Sequence, residues 1–120
     1  MPRVDYFKNS EKFIEYPAEQ VIFDQGDPAE EMYAVKEGEV DIIYKGHLLE
    51  TIKPGEFFGE MSLVDDTPRS AKAVARTNCK IVPVNRHDFL FLVQETPLFA
   101  LQVMQLMAHR LRKMNDLVRN

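Results

Sequence analysis

The chain's five glycines all fall between positions 26 and 59, never more than a dozen residues apart. Short runs rich in Val, Ile, Tyr and Phe separate them. Turn signals at roughly 8–12 residue spacing between such runs are the mark of an antiparallel sandwich or barrel. The turn chemistry agrees. Gln25-Gly26-Asp27-Pro28 joins a glycine to a proline, Lys45-Gly46 parts EVDIIY from HLLETI as a hairpin tip does, and Lys53-Pro54-Gly55 ends the second run.

Strands are predicted over Lys12–Tyr16, Val21–Phe23, Glu31–Lys36, Glu39–Tyr44, His47–Ile52, Ala71–Arg76 and Lys80–Val84. Val4–Lys8 is compatible with a helical turn. After Val84 the pattern changes. Asn85 is a good N-cap, with Asp88 three positions on, so HDFLFLVQ reads as a short helix. Thr96-Pro97 opens a second one. Within it Ala100, Met104, Met107, Leu111, Met114 and Val118 form an a/d seam, widened by Phe99, Val103 and Leu106. That widening means that part of the helix must pack on the barrel, while the seam itself either packs there too or takes a partner, including a second copy of the chain.

A length of 120 residues fits one domain over 1–120, with a barrel over about 11–84 and helices over about 86–118. Hydrophobic (45%) and charged (28%) fractions are globular, which argues against disorder. The net charge of -4 argues against direct nucleic-acid binding, and the late cations Arg110, Arg112, Lys113 and Arg119 read as a solvated helix face. One cysteine, Cys79, can form neither an internal disulfide nor a zinc site alone. There is no secretory signal and no run near the ~20 apolar residues of a membrane span, so a cytoplasmic location is expected.

The stretch FFGEMSLVDDTPRSA, Phe57 to Ala71, is the chemically loaded one. Gly59 allows a sharp turn or a close approach, and Met61–Val64 has room for one helical turn whose free N–H groups attract anions. Pro68 fixes the backbone before Arg69, whose planar fork suits phosphate, and Ser70 adds a hydroxyl. Glu60 is acceptor-only when ionised. A carboxylate beside an anion site suits a ligand carrying a sugar hydroxyl next to a phosphate, and a cyclic phosphodiester on ribose meets that description. The plainer alternative is a Glu60–Arg69 surface salt bridge, worth only ~0–1 kcal/mol.

This stretch resembles the phosphate-binding cassette of the cyclic nucleotide-binding domain family, which includes catabolite activator proteins, protein kinase A regulatory subunits and cyclic-nucleotide-gated channels. The matching motifs are Phe58-Gly59-Glu60, the apolar Met61-Ser62-Leu63, a loop over Val64–Thr67, and Pro68-Arg69-Ser70-Ala71. The resemblance implies a mainly β fold: an antiparallel β-roll or jelly roll of about eight strands, with a short cassette helix and C-terminal helices. It also implies that Glu60 accepts from the ribose 2′-OH, with Gly59 contributing backbone, and that Arg69 pairs with the cyclic phosphate. The Ser70 hydroxyl and the Ser62 amide would add contacts, and Phe58, Met61 and Ala71 fall within the same ligand-binding set. Leu63 matches the apolar hinge that relays occupancy to the C-terminal helices, and Asn115 falls about where some members contact the purine. Lys72 departs from the Thr or Ser that many members carry there.

The implied function is a cyclic AMP or cyclic GMP receptor, not an enzyme, with no further cofactor. The chain ends at Asn120, without room for a helix-turn-helix after the seam, so either a stand-alone receptor or an excised domain is expected. Two other classes compete. One is an interaction module that keeps the fold but binds no nucleotide. The other is a cupin-like metalloenzyme, which needs clustered His and carboxylate ligands, whereas His47, His87 and His109 stand apart.

Overall fold

A computed structural model describes residues 5–65 and 67–119. In chain order the elements are β1 (Ile14–Tyr16), β2 (Val21–Phe23), β3 (Glu31–Glu37), β4 (Val40–Tyr44), β5 (His47–Ile52), β6 (Phe57–Phe58), α1 (Met61–Val64), β7 (Lys72–Ala75), β8 (Cys79–Asn85), α2 (Arg86–Glu95) and α3 (Pro97–Arg119). The strands form two four-stranded sheets, ordered β1-β8-β3-β6 and β2-β7-β4-β5, and the pairings are antiparallel. This is the mainly β fold with C-terminal helices that the turn spacing predicts.

The sheet containing β8 and β3 is covered on both faces. Successive strand residues point to opposite sides. Accordingly Val82 and Val84 join Phe57, Phe99 and Val103 beneath the helices, while Ile81 joins Phe58, Val35, Val40 and Ile52 between the sheets. The doublet Phe57-Phe58 divides in the same way, one ring into each core. A strand buried on both faces reads as a continuous apolar run, which explains CKIVPV.

Several boundaries shift for local reasons. β1 begins at Ile14, not Lys12, because Ser10 Oγ donates to the Lys12 carbonyl (3.1 Å) and accepts from its amide (3.3 Å), drawing that backbone out of the ladder. Glu39 falls outside β4, its N–H donating to Thr77 Oγ1 at 3.0 Å. β6 escapes the pattern because two residues carry no period. At the N-terminus a turn spans residues 6–9 and Ser10 N–H donates to Phe7 O at 3.1 Å, while Val4 lies outside the described residues. Asn85 caps α2 by accepting from Asp88 N–H at 2.8 Å, and α3 starts at Pro97.

The α3 helix packs partly on the barrel, as the widening of its seam by Phe99, Val103 and Leu106 predicts. Phe99 and Val103 are buried, with Tyr6, Phe7, Phe57 and Phe89 packed edge-on around the Phe99 ring at 5.2–6.2 Å. Leu106 and Met107 lean on the same core, whereas Met104 and Leu111 are exposed. The side chain of Val118 lies outside the described residues.

Candidate functional site

Between β6 and β7 the chain turns through Gly59, whose φ is +73°, into the short α1 helix. A Cβ on Gly59 would lie 2.7 Å from Arg69 Nη1, so the bare backbone is what admits the guanidinium. Arg69 is pinned from the other side as well. Its N–H donates to Asp27 O (2.9 Å) and its carbonyl accepts from Gly26 N–H (2.8 Å).

The Arg69 side chain is buried, only 7% exposed. Nη1 donates to Gly59 O at 2.9 Å and Nη2 to Glu31 O at 2.6 Å. Its guanidinium stacks 4.2 Å from the Phe23 ring centroid and 5.5 Å from that of Tyr33. Nε has no acceptor among the described residues. Burial pushes the guanidinium below its ordinary value, an effect that Tyr33, Glu31 and Glu60 partly offset. A buried cation with an unused donor is expensive unless an acceptor arrives.

Glu60 is 5% exposed, and its partner is not Arg69. Arg110, on α3, donates from Nη1 to Glu60 Oε2 (2.6 Å), from Nε to Glu50 Oε2 (2.8 Å), and from Nη2 to the Phe57 carbonyl. Burial alone would lower the Arg110 pKa, but Glu60 and Glu50 outweigh it and hold it raised. The plainer alternative of a Glu60–Arg69 surface salt bridge is therefore set aside: both groups are buried and each has other partners. The reading of Arg110 as part of a solvated face is corrected too. At 20% side-chain exposure it closes the site from the helix side.

Glu60 and Arg69 line one cavity of about 340 Å³, within the usual size of small-molecule sites. Phe58, Gly59, Met61, Ser70 and Ala71 also line it. Leu63 lies beneath, in the core with Phe99 and Val103. Ser62 lies within α1, its side chain outside the described residues. Asn115 is exposed and is not part of the lining, where Leu111, Lys113 and Met114 stand instead. Lys72 is half-buried on β7, opposite Ile43 and away from the lining.

Arg110 and Glu50 are the functional candidates that sequence reasoning missed. A signal exists for the first: Val103, Met107, Arg110 and Met114 are spaced 4, 3, 4, so the arginine sits within an apolar stripe. Glu50 carries no comparable mark. Among the described residues no group of three His, Cys, Asp or Glu side chains could hold a metal ion. Nor is any single described helix long and apolar enough to cross a membrane.

Residues 13–96 match the family model described as the cyclic nucleotide-binding domain. The cyclic AMP receptor protein of Thermus thermophilus is 40% identical over 82% of this chain and 48% of its own length. The cAMP-dependent protein kinase regulatory subunit of Aspergillus niger is 38% identical over 63% of this chain and 19% of its own. The crystal structure of the Thermus thermophilus catabolite activator protein superposes with a TM-score of 0.75 at 37% identity, covering 89% of this chain and 54% of that one. The chain thus spans about half the length of the bacterial regulators and a fifth of the kinase subunit.

Proposed function

The chain belongs to the cyclic nucleotide-binding domain family, and from that premise we propose that it is a receptor for a cyclic nucleoside monophosphate such as cyclic AMP or cyclic GMP. The carrying observation is the buried Arg69, which lines a cavity together with the buried Glu60 and whose Nε is left without an acceptor among the described residues. In this reading the phosphate accepts from Arg69 Nε and the Ser70 hydroxyl, and the ribose 2′-OH donates to Glu60. A carboxylate has about four lone-pair sites, so Glu60 can accept from the sugar beside its Arg110 bond. Phe58, Met61 and Ala71 supply apolar wall.

The relay follows from two attachments between cassette and α3. Leu63 shares a core with Phe99 and Val103, and Arg110 binds the same carboxylate that the sugar would use. A ligand that changes the Glu60–Arg110 geometry shifts the α3 population only through its differential affinity for the two arrangements. The outward face of α3 favours a companion role. Leu101 and Met104 are 39% and 58% exposed along one side, suited to a second copy of the chain.

Isothermal titration with cyclic AMP, cyclic GMP, their 2′-deoxy analogues and linear AMP tests the receptor reading. Cyclic ribonucleotides should bind, the linear form should bind more weakly, and Glu60→Gln should narrow the preference for ribose over deoxyribose. No heat with either cyclic ribonucleotide overturns the reading.

A further inference from the structure

We infer that Glu50 makes this cavity select singly charged phosphodiesters against doubly charged phosphate monoesters, an inference that rests on the cyclic nucleotide reading of the site. Three cations line the cavity, Arg69, Arg110 and Lys113, together with two acids, Glu50 and Glu60, so its walls carry a net charge of +1. A cyclic nucleotide brings one negative charge and neutralises them. A linear nucleotide with a doubly ionised terminal phosphate leaves one negative charge uncompensated, which burial makes expensive. In a cavity of about 340 Å³ a ligand charge lies within roughly one Debye length (~8 Å) of these groups, so salt screens the mismatch weakly.

Glu50 sets this charge because it is the second acid on a single cation. It lies on β5 with its side chain only 11% exposed, and its Oε2 accepts from Arg110 Nε at 2.8 Å. Arg110 directs Nη1 to Glu60 and Nη2 to the Phe57 carbonyl. Glu60 alone would neutralise Arg110, so with Glu50 the triad carries one net negative charge. The sugar hydroxyl needs only Glu60. The charge on Glu50 therefore offsets one of the two remaining cations, Arg69 and Lys113, and holds the walls at +1. Without it the walls would stand at +2 and match a dianion. Arg110 Nε would also be released for a second phosphate oxygen, in the charge-assisted pairing that a guanidinium favours.

Calorimetric titrations with cyclic AMP, 5′-AMP and the methyl ester of 5′-AMP test this, with the guanosine set run alongside. The methyl ester is linear yet singly charged, so it separates charge from ring closure. At about pH 7.5 the native protein should bind the ester more tightly than 5′-AMP. That gap should narrow toward about pH 5.5, because a phosphate monoester takes up its second proton at about pH 6 and a diester has none to take up. The charged lining groups are the five named above, and no histidine is among them. In Glu50→Gln the gap at about pH 7.5 should shrink about fivefold, the Coulomb scale for one charge ~8 Å away at a dielectric between a protein surface and bulk water. Glu50→Asp, which keeps the charge, should keep the gap. Thermal melts verify that both variants are folded. A native gap that is absent or ignores pH, or one that Glu50→Gln leaves unmoved, overturns this inference alone. If neither cyclic AMP nor cyclic GMP binds, it falls together with the receptor reading.

Discussion

Arg110 Nη1 lies 2.6 Å from Glu60 Oε2, joining the last helix to the cassette across fifty positions of sequence. The same guanidinium holds Glu50 Oε2 at 2.8 Å. Removing it leaves two acids, 5% and 11% exposed, without their cation. Arg110→Met should therefore cost ~3–5 kcal/mol in urea unfolding. Adding Glu60→Gln should recover part of this, with a coupling of ~0.5–3 kcal/mol. If Arg110 carries the relay, ligand-dependent protection of α3 in hydrogen exchange should vanish in Arg110→Met. Strictly additive single mutants would mean that the contact carries no net energy.

Arg69→Ala should weaken cyclic nucleotide binding by ~2–5 kcal/mol in calorimetry, the range for truncating one partner of a buried charge pair. Arg69→Lys should not restore it, because a point charge cannot span the Gly59 and Glu31 carbonyls and also reach a phosphate. Native-like affinity in either variant would remove Arg69 from the phosphate role.

Gly59→Ala combines two faults, a left-handed φ of +73° and a Cβ 2.7 Å from Arg69 Nη1. The backbone term alone costs ~1–2 kcal/mol. The steric term displaces the guanidinium, so affinity should fall alongside stability. Melting curves with and without nucleotide separate the two, since bound ligand raises the melting point by mass action. A ligand-induced rise equal to that of the native protein would show Arg69 undisturbed.

Met104 is 58% exposed on the outer side of α3. If that face joins a second copy, light scattering should report a dimer for the native chain and a monomer for Met104→Glu, with an unchanged far-ultraviolet spectrum. A native monomer at high micromolar concentration would leave the face without this partner.

Cys79 is 3% exposed, and its Sγ donates to the carbonyls of Glu39 (3.1 Å) and Thr77 (3.2 Å). Burial is the largest influence on the thiol and raises its pKa, against smaller opposing effects of Thr77 and the Glu39 backbone. A raised folded-state pKa favours the protonated form. Its stabilisation is complete below the ordinary thiol pKa and is lost as pH rises through the folded value. Iodoacetamide labelling near pH 8 should thus be slow in the native protein and fast in urea, while alkaline pH lowers stability. Equal labelling rates would contradict this.

Much of the architecture was legible because turns and strand periods are local. The Lys45-Gly46 hairpin, the Asn85 cap and the Thr96-Pro97 start each depend on a few neighbouring residues. The cassette was legible for the same reason, as Gly59, Glu60 and Arg69 lie within one short stretch. The illegible parts depend on distant chain segments. Glu50 and Glu60 meet Arg110 from sixty and fifty positions away; the apolar stripe around Arg110 sets it apart from the cations of a wet helix, but nothing local points to its two partners. The widened α3 seam was legible as packing partly on the barrel, although a heptad count does not say how far each of its residues is covered. β6 was missed because its two phenylalanines answer to different cores.

That divided pair means that a single peptide bond is shared by both interiors, between the sheets and beneath the helices. Loosening one ring disturbs the backbone that anchors the other, so the two interiors are coupled through this doublet. Heating should accordingly give one calorimetric peak, with the helices and both sheets lost together.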